Sequence, residues 1–317
     1  MSKEPRGMGA SLILGGGGFI GINLARGLAA RGVAVRGFGR TAPPPEANYP
    51  GDWRTGEFSD RDALLAALEG VDQVYHLVGS ADPNRFSDDP AQEVSRYLLP
   101  TLQLFDLLGE TGVRSVVFVS SGGTVYGPQS PIPSPETAAT QPISMYGASK
   151  VAIEAFIGSY RKLRNLDARI ARVANPFGPW QVPGRGQGFI ANCLRAVQSG
   201  QAIEIWGDGS VVRDFIYIDD VVAALIGIAD HDGPEWIFNV GSGLGRSIAN
   251  VAADIASLYD VPVAIDYRAG RPADIPASVL DISRISSALG WQPRSDWRQA
   301  LLSTRSWVER HEADAKR

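Results

Sequence analysis

The stretch "SLILGGGGFIG", residues 11–21, places Gly15, Gly18 and Gly21 directly behind an apolar run and ahead of a helical one. Residues 10–14 are short, apolar and bounded by glycine, the pattern of a strand buried on both faces. From Phe19 to Arg31 the apolar positions Ile20, Leu24 and Leu28 keep helical spacing. A strand, a glycine turn and a helix start in that order offer free N–H groups and the positive end of a helix dipole to a pyrophosphate. Glycines suit the turn because side chains would block the approach. A plain tight turn is the alternative; the strand–loop–helix context favours a dinucleotide site that includes Phe19 and Ile20.

Outward from this loop, strands and helices alternate. Strands are predicted over 33–38, 73–78, 115–121 and 168–175, and helices over 61–68, 91–109 and 146–163. The segment "APPPEANYPGDW", 42–53, reads as a loop. Such alternation predicts an α/β, Rossmann-type, doubly wound parallel sheet that binds ligands at the carboxyl ends of its strands. Beyond Pro176 glycine and proline crowd "NPFGPWQVPGRGQG" and the elements become short and mixed. Residues 1–178, with about 219–241 returning one helix and one strand, are expected to form the dinucleotide-binding domain. Residues 179–218 plus 242–317 are expected to form a smaller, discontinuous C-terminal substrate lobe.

Composition narrows the class. The 317 residues are 44% hydrophobic and 20% charged, with a net charge of -4, so neither a nucleic-acid nor a membrane surface is expected. Cys193 is the single cysteine, which excludes an intrachain disulfide and fits a reducing cytoplasm. The first ten residues are too short and polar for a signal peptide. No metal site is expected.

A second stretch, "VAVRGFGRT" (33–41), ends where an Asp or Glu would hydrogen-bond the adenosine ribose and favour NAD. Here Gly39 and Arg40 stand instead, with Arg36 close by. Without the carboxylate a 2′-phosphate is not repelled, and Arg40 can add charge-assisted bonds to it. NADP is the favoured cofactor on this ground. The alternative is that Arg40 stacks on adenine or is solvated, and NAD binds without the acid. Glu57 is a candidate for the adenine amino group or else a surface carboxylate.

The third stretch, "SMYGASK" (144–150), sets Tyr146 and Lys150 four apart, on one helical face. Free tyrosine has a pKa of about 10. An ammonium about 4 Å away contributes roughly 4 kcal/mol at an effective dielectric near 20, enough to bring the phenol towards neutrality as a general base. Lys150 would also hold the nicotinamide ribose. Upstream, "VVFVSSGGTVYG" ends a strand in the hydroxyls of Ser120, Ser121 and Thr124, any of which could position a substrate oxygen.

Together with "VYHLVG", "RVANPFGPWQ", "GDGSVVRDFIYIDDVV", "FNVGSG", "RPADI" and "LGW", these stretches resemble, over nearly the whole chain, the extended short-chain dehydrogenase/reductases of the nucleotide-sugar epimerase/dehydratase family typified by UDP-galactose 4-epimerase. The resemblance implies that Gly15, Gly18 and Gly21 hold the pyrophosphate and that His76, Leu77 and Val78 line the path from adenosine to nicotinamide. It implies Tyr146 as base and Lys150 as its partner. It implies Asn175, Arg213 and Arg271 as contacts of a substrate diphosphate, for which arginine forks are suited. Asn175 could instead cap a turn, and Arg213 could pair with Asp214 or Asp219. The resemblance also implies a homodimer through the helices at 91–109 and 146–163, although burial within one subunit would give the same apolar faces.

Three departures from the family pattern matter. Gly122 stands where a hydroxyl usually assists the tyrosine, so Ser121, Thr124 or water must substitute. "YLLPT", with Tyr97 and Pro100, replaces an expected "N-x-x-G-T" and predicts a helix that starts or kinks at Pro100. The cofactor-selecting acid is missing. Gly123 and Thr124 offer no carboxylate for a 4,6-dehydration, and Cys193 and His231 are poorly placed for a 6-deoxysugar epimerase-reductase. The reading is therefore an NAD(P)-dependent C4 epimerase of a nucleoside-diphosphate sugar. A NADPH-dependent 4-keto reductase is the alternative, and a non-catalytic cofactor-sensing regulator is a third possibility that retention of Tyr146 and Lys150 disfavours.

Overall fold

The computed structural model describes residues 9–79, 90–184, 188–260, 262–270 and 275–314. Seven parallel strands form the main sheet: β1 (Ala10–Leu14), β2 (Val35–Gly39), β3 (Asp52–Thr55), β4 (Val71–His76), β5 (Ser115–Ser121), β6 (Ala168–Val173) and, later in the chain, Ile237–Val240. Their spatial order is β3-β2-β1-β4-β5-β6 followed by Ile237–Val240. The order reverses between β1 and β4, and this reversal opens a crevice at their carboxyl ends.

Both faces of the sheet are covered. Leu24 and Leu28 of α1 (Phe19–Ala29) share a core with Val221, Leu225 and Ile228 of the helix Ile218–Asp230 on one face. On the other, Leu64 of α2 (Arg61–Leu68), Leu104 and Phe105 of α3 (Leu99–Glu110), and Ile153 and Ile157 of α4 (Met145–Arg164) cover Leu12, Leu14, Val116 and Phe118. A separate core lies in the C-terminal part, where Leu194 of α5 (Phe189–Gln198), Val251 and Ile255 of α7 (Ile248–Ala256), and Leu301 and Val308 of α9 (Trp297–Asp314) pack with Ile203 and Ile205; α6 (the helix Ile218–Asp230) and Ile285 of α8 (Ser283–Leu289) belong to the core of the main sheet. The short strands here are β7 (Asn175–Phe177), β8 (Ile203–Trp206), β9 (Val212–Tyr217), β11 (Gly245–Ser247), β12 (Ile265–Arg268) and β13 (Ala277–Ser278), with Ile237–Val240 as β10. β9 pairs with β7 and β13 in parallel and with β11 antiparallel, and β8 pairs with β12.

Several boundaries differ from expectation. The strand expected over 73–78 spans Val71–His76, and the strand expected over 33–38 spans Val35–Gly39. The loop read over 42–53 closes into β3, a strand too short and too close to prolines to stand out. The strand expected through Asn175 stops at Val173, and Asn175 opens β7 on another sheet. Ahead of α3 the chain forms a π-helical turn over Val94–Leu98. Pro100 has no N–H to offer the preceding turn, and its ring crowds the carbonyl four residues back, so a widened turn is the expected relief. Among the described residues no helix is long and apolar enough to cross a membrane.

Candidate active site

The glycine loop closes on itself through Gly15 N–H to Phe38 O at 2.9 Å and Gly18 N–H to Gly15 O at 3.0 Å. Gly15 has φ +80°, a left-handed conformation that favours glycine. A Cβ on Gly21 would stand 2.6 Å from the Gly15 carbonyl oxygen, so α1 can approach the loop only with glycine there. Gly18 caps α1 without a side-chain bond, leaving the first-turn N–H groups of Phe19, Ile20 and Gly21 without intrahelical partners. A Cβ on Gly15 would touch the backbone of Leu77 and Val78 at 3.4 Å, so the far wall lies directly beside the loop. This cradle of backbone donors, free of side chains, fits the pyrophosphate of a dinucleotide.

Arg40, just past β2, and Glu57, just past β3, are both exposed. Arg36 is not near the cofactor edge. Strand alternation turns it to the α2 face, where Nη1 donates to Ala67 O at 2.8 Å and Glu69 O at 2.7 Å, and Nε lies 3.4 Å from Asp52.

Further along the crevice, Val78, Gly79, Tyr97, Tyr146, Ser149 and Lys150 line one small cleft. α4 carries the two chief residues because Ser144 caps it, accepting from Gly147 N–H at 3.1 Å, and because Asn165 ends it in a left-handed turn. Lys150, Ile153, Glu154 and Ile157 lie on its buried face. Lys150 Nζ donates to Val119 O at 3.0 Å and sits 4.7 Å above the Phe118 ring and 5.6 Å from the Tyr146 ring centroid. Burial lowers its pKa to about 8, opposed by the nearby Glu154 carboxylate.

The expectation that Lys150 lowers the Tyr146 pKa does not hold in this geometry. Burial pushes the phenol up to about 12, and the opposing influence is a hydrogen bond with the Ser121 side chain. Ser121 is thus the hydroxyl brought to Tyr146. Thr124 Oγ1 instead reaches back to Ser121 O at 3.5 Å. Ser120, a candidate for positioning a substrate or cofactor oxygen, instead points to the α4 face and donates to Glu154 Oε1 at 2.5 Å. The reason for Gly122 is also visible. A Cβ there would meet Leu280 Cδ1 at 2.5 Å and Arg172 O at 3.0 Å.

The chain brings Asn175 close to this end, its amide 3.9 Å from where a Gly123 Cβ would stand, with Nδ2 donating to Asp214 O at 3.0 Å. Arg213 Nη1 donates to Val212 O and Ile275 O. Asp214 does not pair with it but turns to the opposite face, accepting from Ser242, Gly243 and Leu280. Arg271 lies outside the described residues. His76 is buried, with Nε2 2.9 Å from Thr101 Oγ1, which donates to Tyr97 O at 2.6 Å. Since that hydroxyl has one proton, Nε2 carries the ring hydrogen. Burial, then Lys150, lowers the His76 pKa to about 3. His76 therefore shapes the π-helical turn, while the backbone of Leu77 and Val78 stands beside the glycine loop and Val78 lines the cleft. Tyr97 and Ser149 were missed as lining residues; the π-helical turn that aims Tyr97 inward leaves no periodic signal.

The model of the NAD dependent epimerase/dehydratase family matches residues 11–241. A UDP-glucose 4-epimerase of Mycolicibacterium smegmatis is 32% identical over 93% of this chain and 96% of its own. A dTDP-4-dehydro-6-deoxyglucose reductase of Escherichia coli is 29% identical over 89% of this chain and 92% of its own. The crystal structure of a Thermus thermophilus UDP-glucose 4-epimerase in complex with NAD is similar at a TM-score of 0.86, with 27% identity, over 95% of this chain and 99% of that one. With a family match from Ser11 to Gly241 and a relative similar over nearly its full length, the chain is an enzyme of the NAD dependent epimerase/dehydratase family.

Proposed function

We propose that the protein is a nucleotide-sugar 4-epimerase, transferring hydride at C4 of a nucleoside-diphosphate sugar, with a uridine diphosphate hexose as the first substrate to test. The observation that carries this reading is the joining of Tyr146, hydrogen-bonded to Ser121, and Lys150 in one cleft beside the glycine loop. A bound dinucleotide supplies the hydride acceptor and, when oxidised, a cationic ring. Tyr146 takes the proton of the C4 hydroxyl, Ser121 passes or orients it, and Lys150 is fixed by Val119 O so that its remaining N–H groups can hold a ribose diol. The cationic ring of an oxidised dinucleotide, if bound beside the buried Tyr146 phenol, would favour its ionised form. Asn175, Arg213 and Arg271 serve the sugar diphosphate. Residues 1–178 with 219–241 hold the cofactor, and 179–218 with 242–317 the nucleotide sugar.

NADP is the preferred dinucleotide in this reading, because Gly39 offers no carboxylate and Arg40 is exposed at that edge. The same observation favours the second reading, a 4-keto reductase consuming NADPH. The subunit acts as a homodimer in the cytoplasm, supported by exposed Met145, Phe156 and Leu163 on one face of α4 and by a chain with one cysteine. The test is incubation with uridine diphosphate glucose without added cofactor, together with mass spectrometry of the dinucleotide released on denaturation. A C4 epimer with retained dinucleotide supports the epimerase. An empty site and turnover only of a 4-keto sugar with NADPH supports the reductase. Tyr146→Phe should lose at least a hundredfold in kcat; unaffected turnover would refute both.

A further inference from the structure

We propose that Trp53 is the specificity-determining residue at the adenosine end of the dinucleotide site: its indole fills the volume that a selecting acid at position 39 would need. This rests on the reading of the glycine loop as a dinucleotide site. β3 pairs Trp53 with Gly37 of β2. A Cβ on Gly37 would lie 2.5 Å from Trp53 Cε3 and Cζ3, one on Gly39 3.3 Å from Cζ2, and one on Gly17 3.3 Å from Cη2. One ring therefore rests on two glycines of β2 and reaches a glycine of the loop. Those two elements flank the adenosine ribose in this fold class. Tyr49 completes the packing, edge-on to Trp53 at 5.4 Å, with its hydroxyl 2.8 Å from a Gly16 Cβ position and 2.7 Å from that of Gly37.

Gly39 and Trp53 thus form a coupled pair, since a Cβ at 39 already stands 3.3 Å from the indole and a longer side chain there presses on it. The substitution of ring for acid also reverses the hydrogen-bond character of the edge. A carboxylate only accepts and suits a ribose diol, whereas the exposed Arg40 guanidinium only donates and suits phosphate oxygens. Trp53 Nε1 and Tyr49 OH are both buried without a hydrogen-bond partner among the described residues, so neither ring is pinned by a polar bond.

The test is a set of dissociation constants for NADH and NADPH, read from nicotinamide fluorescence, on the wild type, Gly39→Asp, Trp53→Val and the double variant, with melting temperatures alongside. Gly39→Asp alone is expected to melt lower and to gain no NADH affinity. Gly39→Asp with Trp53→Val is expected to bind NADH at least tenfold more tightly than the wild type. If Gly39→Asp is insoluble, Gly39→Ala reads the same tight contact: it should weaken both dinucleotides at least threefold, and Trp53→Val should restore them. A Gly39→Asp protein that melts like the wild type and gains tenfold in NADH affinity would overturn the proposal, as would a folded double variant with no gain. A wild type that binds neither dinucleotide would overturn instead the reading on which the proposal rests.

Discussion

At Lys150 burial works against the charge that the chemistry uses. Its pKa falls from 10.5 to about 8, so between pH 8 and 10 the unfolded chain holds a proton that the folded one has released. Unfolding then takes up a proton, and the contribution of Lys150 to stability rises with pH by up to about 1.4 kcal/mol per unit. Denaturant unfolding of the wild type and Lys150→Met across this window should show the rise only in the wild type; parallel curves would contradict the burial argument. Ser121→Ala removes the hydrogen bond to Tyr146 and should lower kcat by tenfold to a hundredfold, about 1.4–2.7 kcal/mol, with KM little changed. Thr124→Ala should cost less than threefold, since its hydroxyl faces a carbonyl. The Tyr146–Lys150 pairing was legible because a four-residue spacing on a helix is a local property. The phenol's raised pKa was not, because desolvation depends on what distant segments bring against the ring.

At the scale of elements, the glycine loop is legible for the same local reason. Gly21→Ala should melt well below the wild type and retain no dinucleotide through purification, because its methyl would meet the Gly15 carbonyl at 2.6 Å; retained dinucleotide would show that the loop can yield. β3 was illegible: four residues next to a proline-rich run carry no period, and Trp53 finds its partners on β2 and in the loop. The π-helical turn was announced only by Pro100. The exposed apolar face of α4 carries Met145, Phe156 and Leu163. Phe156→Glu should shift sedimentation from dimer to monomer with the melting curve otherwise cooperative, and a monomeric wild type would refute the proposed dimer.

Across the whole molecule, one buried polar chain ties the catalytic helix to the C-terminal segments. Glu154 pairs with Arg172 at 2.6 Å, and Arg172 Nη1 donates to Tyr126 at 2.9 Å. Tyr126 donates to Asn239 Oδ1, whose backbone N–H donates to Glu136, and Arg284 lies 3.5 Å from that carboxylate. Asp214 gathers Ser242, Gly243 and Leu280 on the neighbouring strand, and Leu280 is the side chain that fills the space above Gly122. Arg172→Met should therefore destabilise by about 3–5 kcal/mol by leaving Glu154 buried without its cation, measured by urea unfolding, and the further change Glu154→Leu should recover most of the loss. The alternation of strands and helices revealed the parallel sheet, but nothing local foretold which C-terminal segment would press on the catalytic turn. The central claim is that hydride leaves C4 and returns to it within this crevice. Proton NMR of uridine diphosphate glucose turned over in D2O tests it most directly: the account predicts a C4 epimer that keeps protium at C4, and deuterium at that carbon, or no epimer at all, would contradict it.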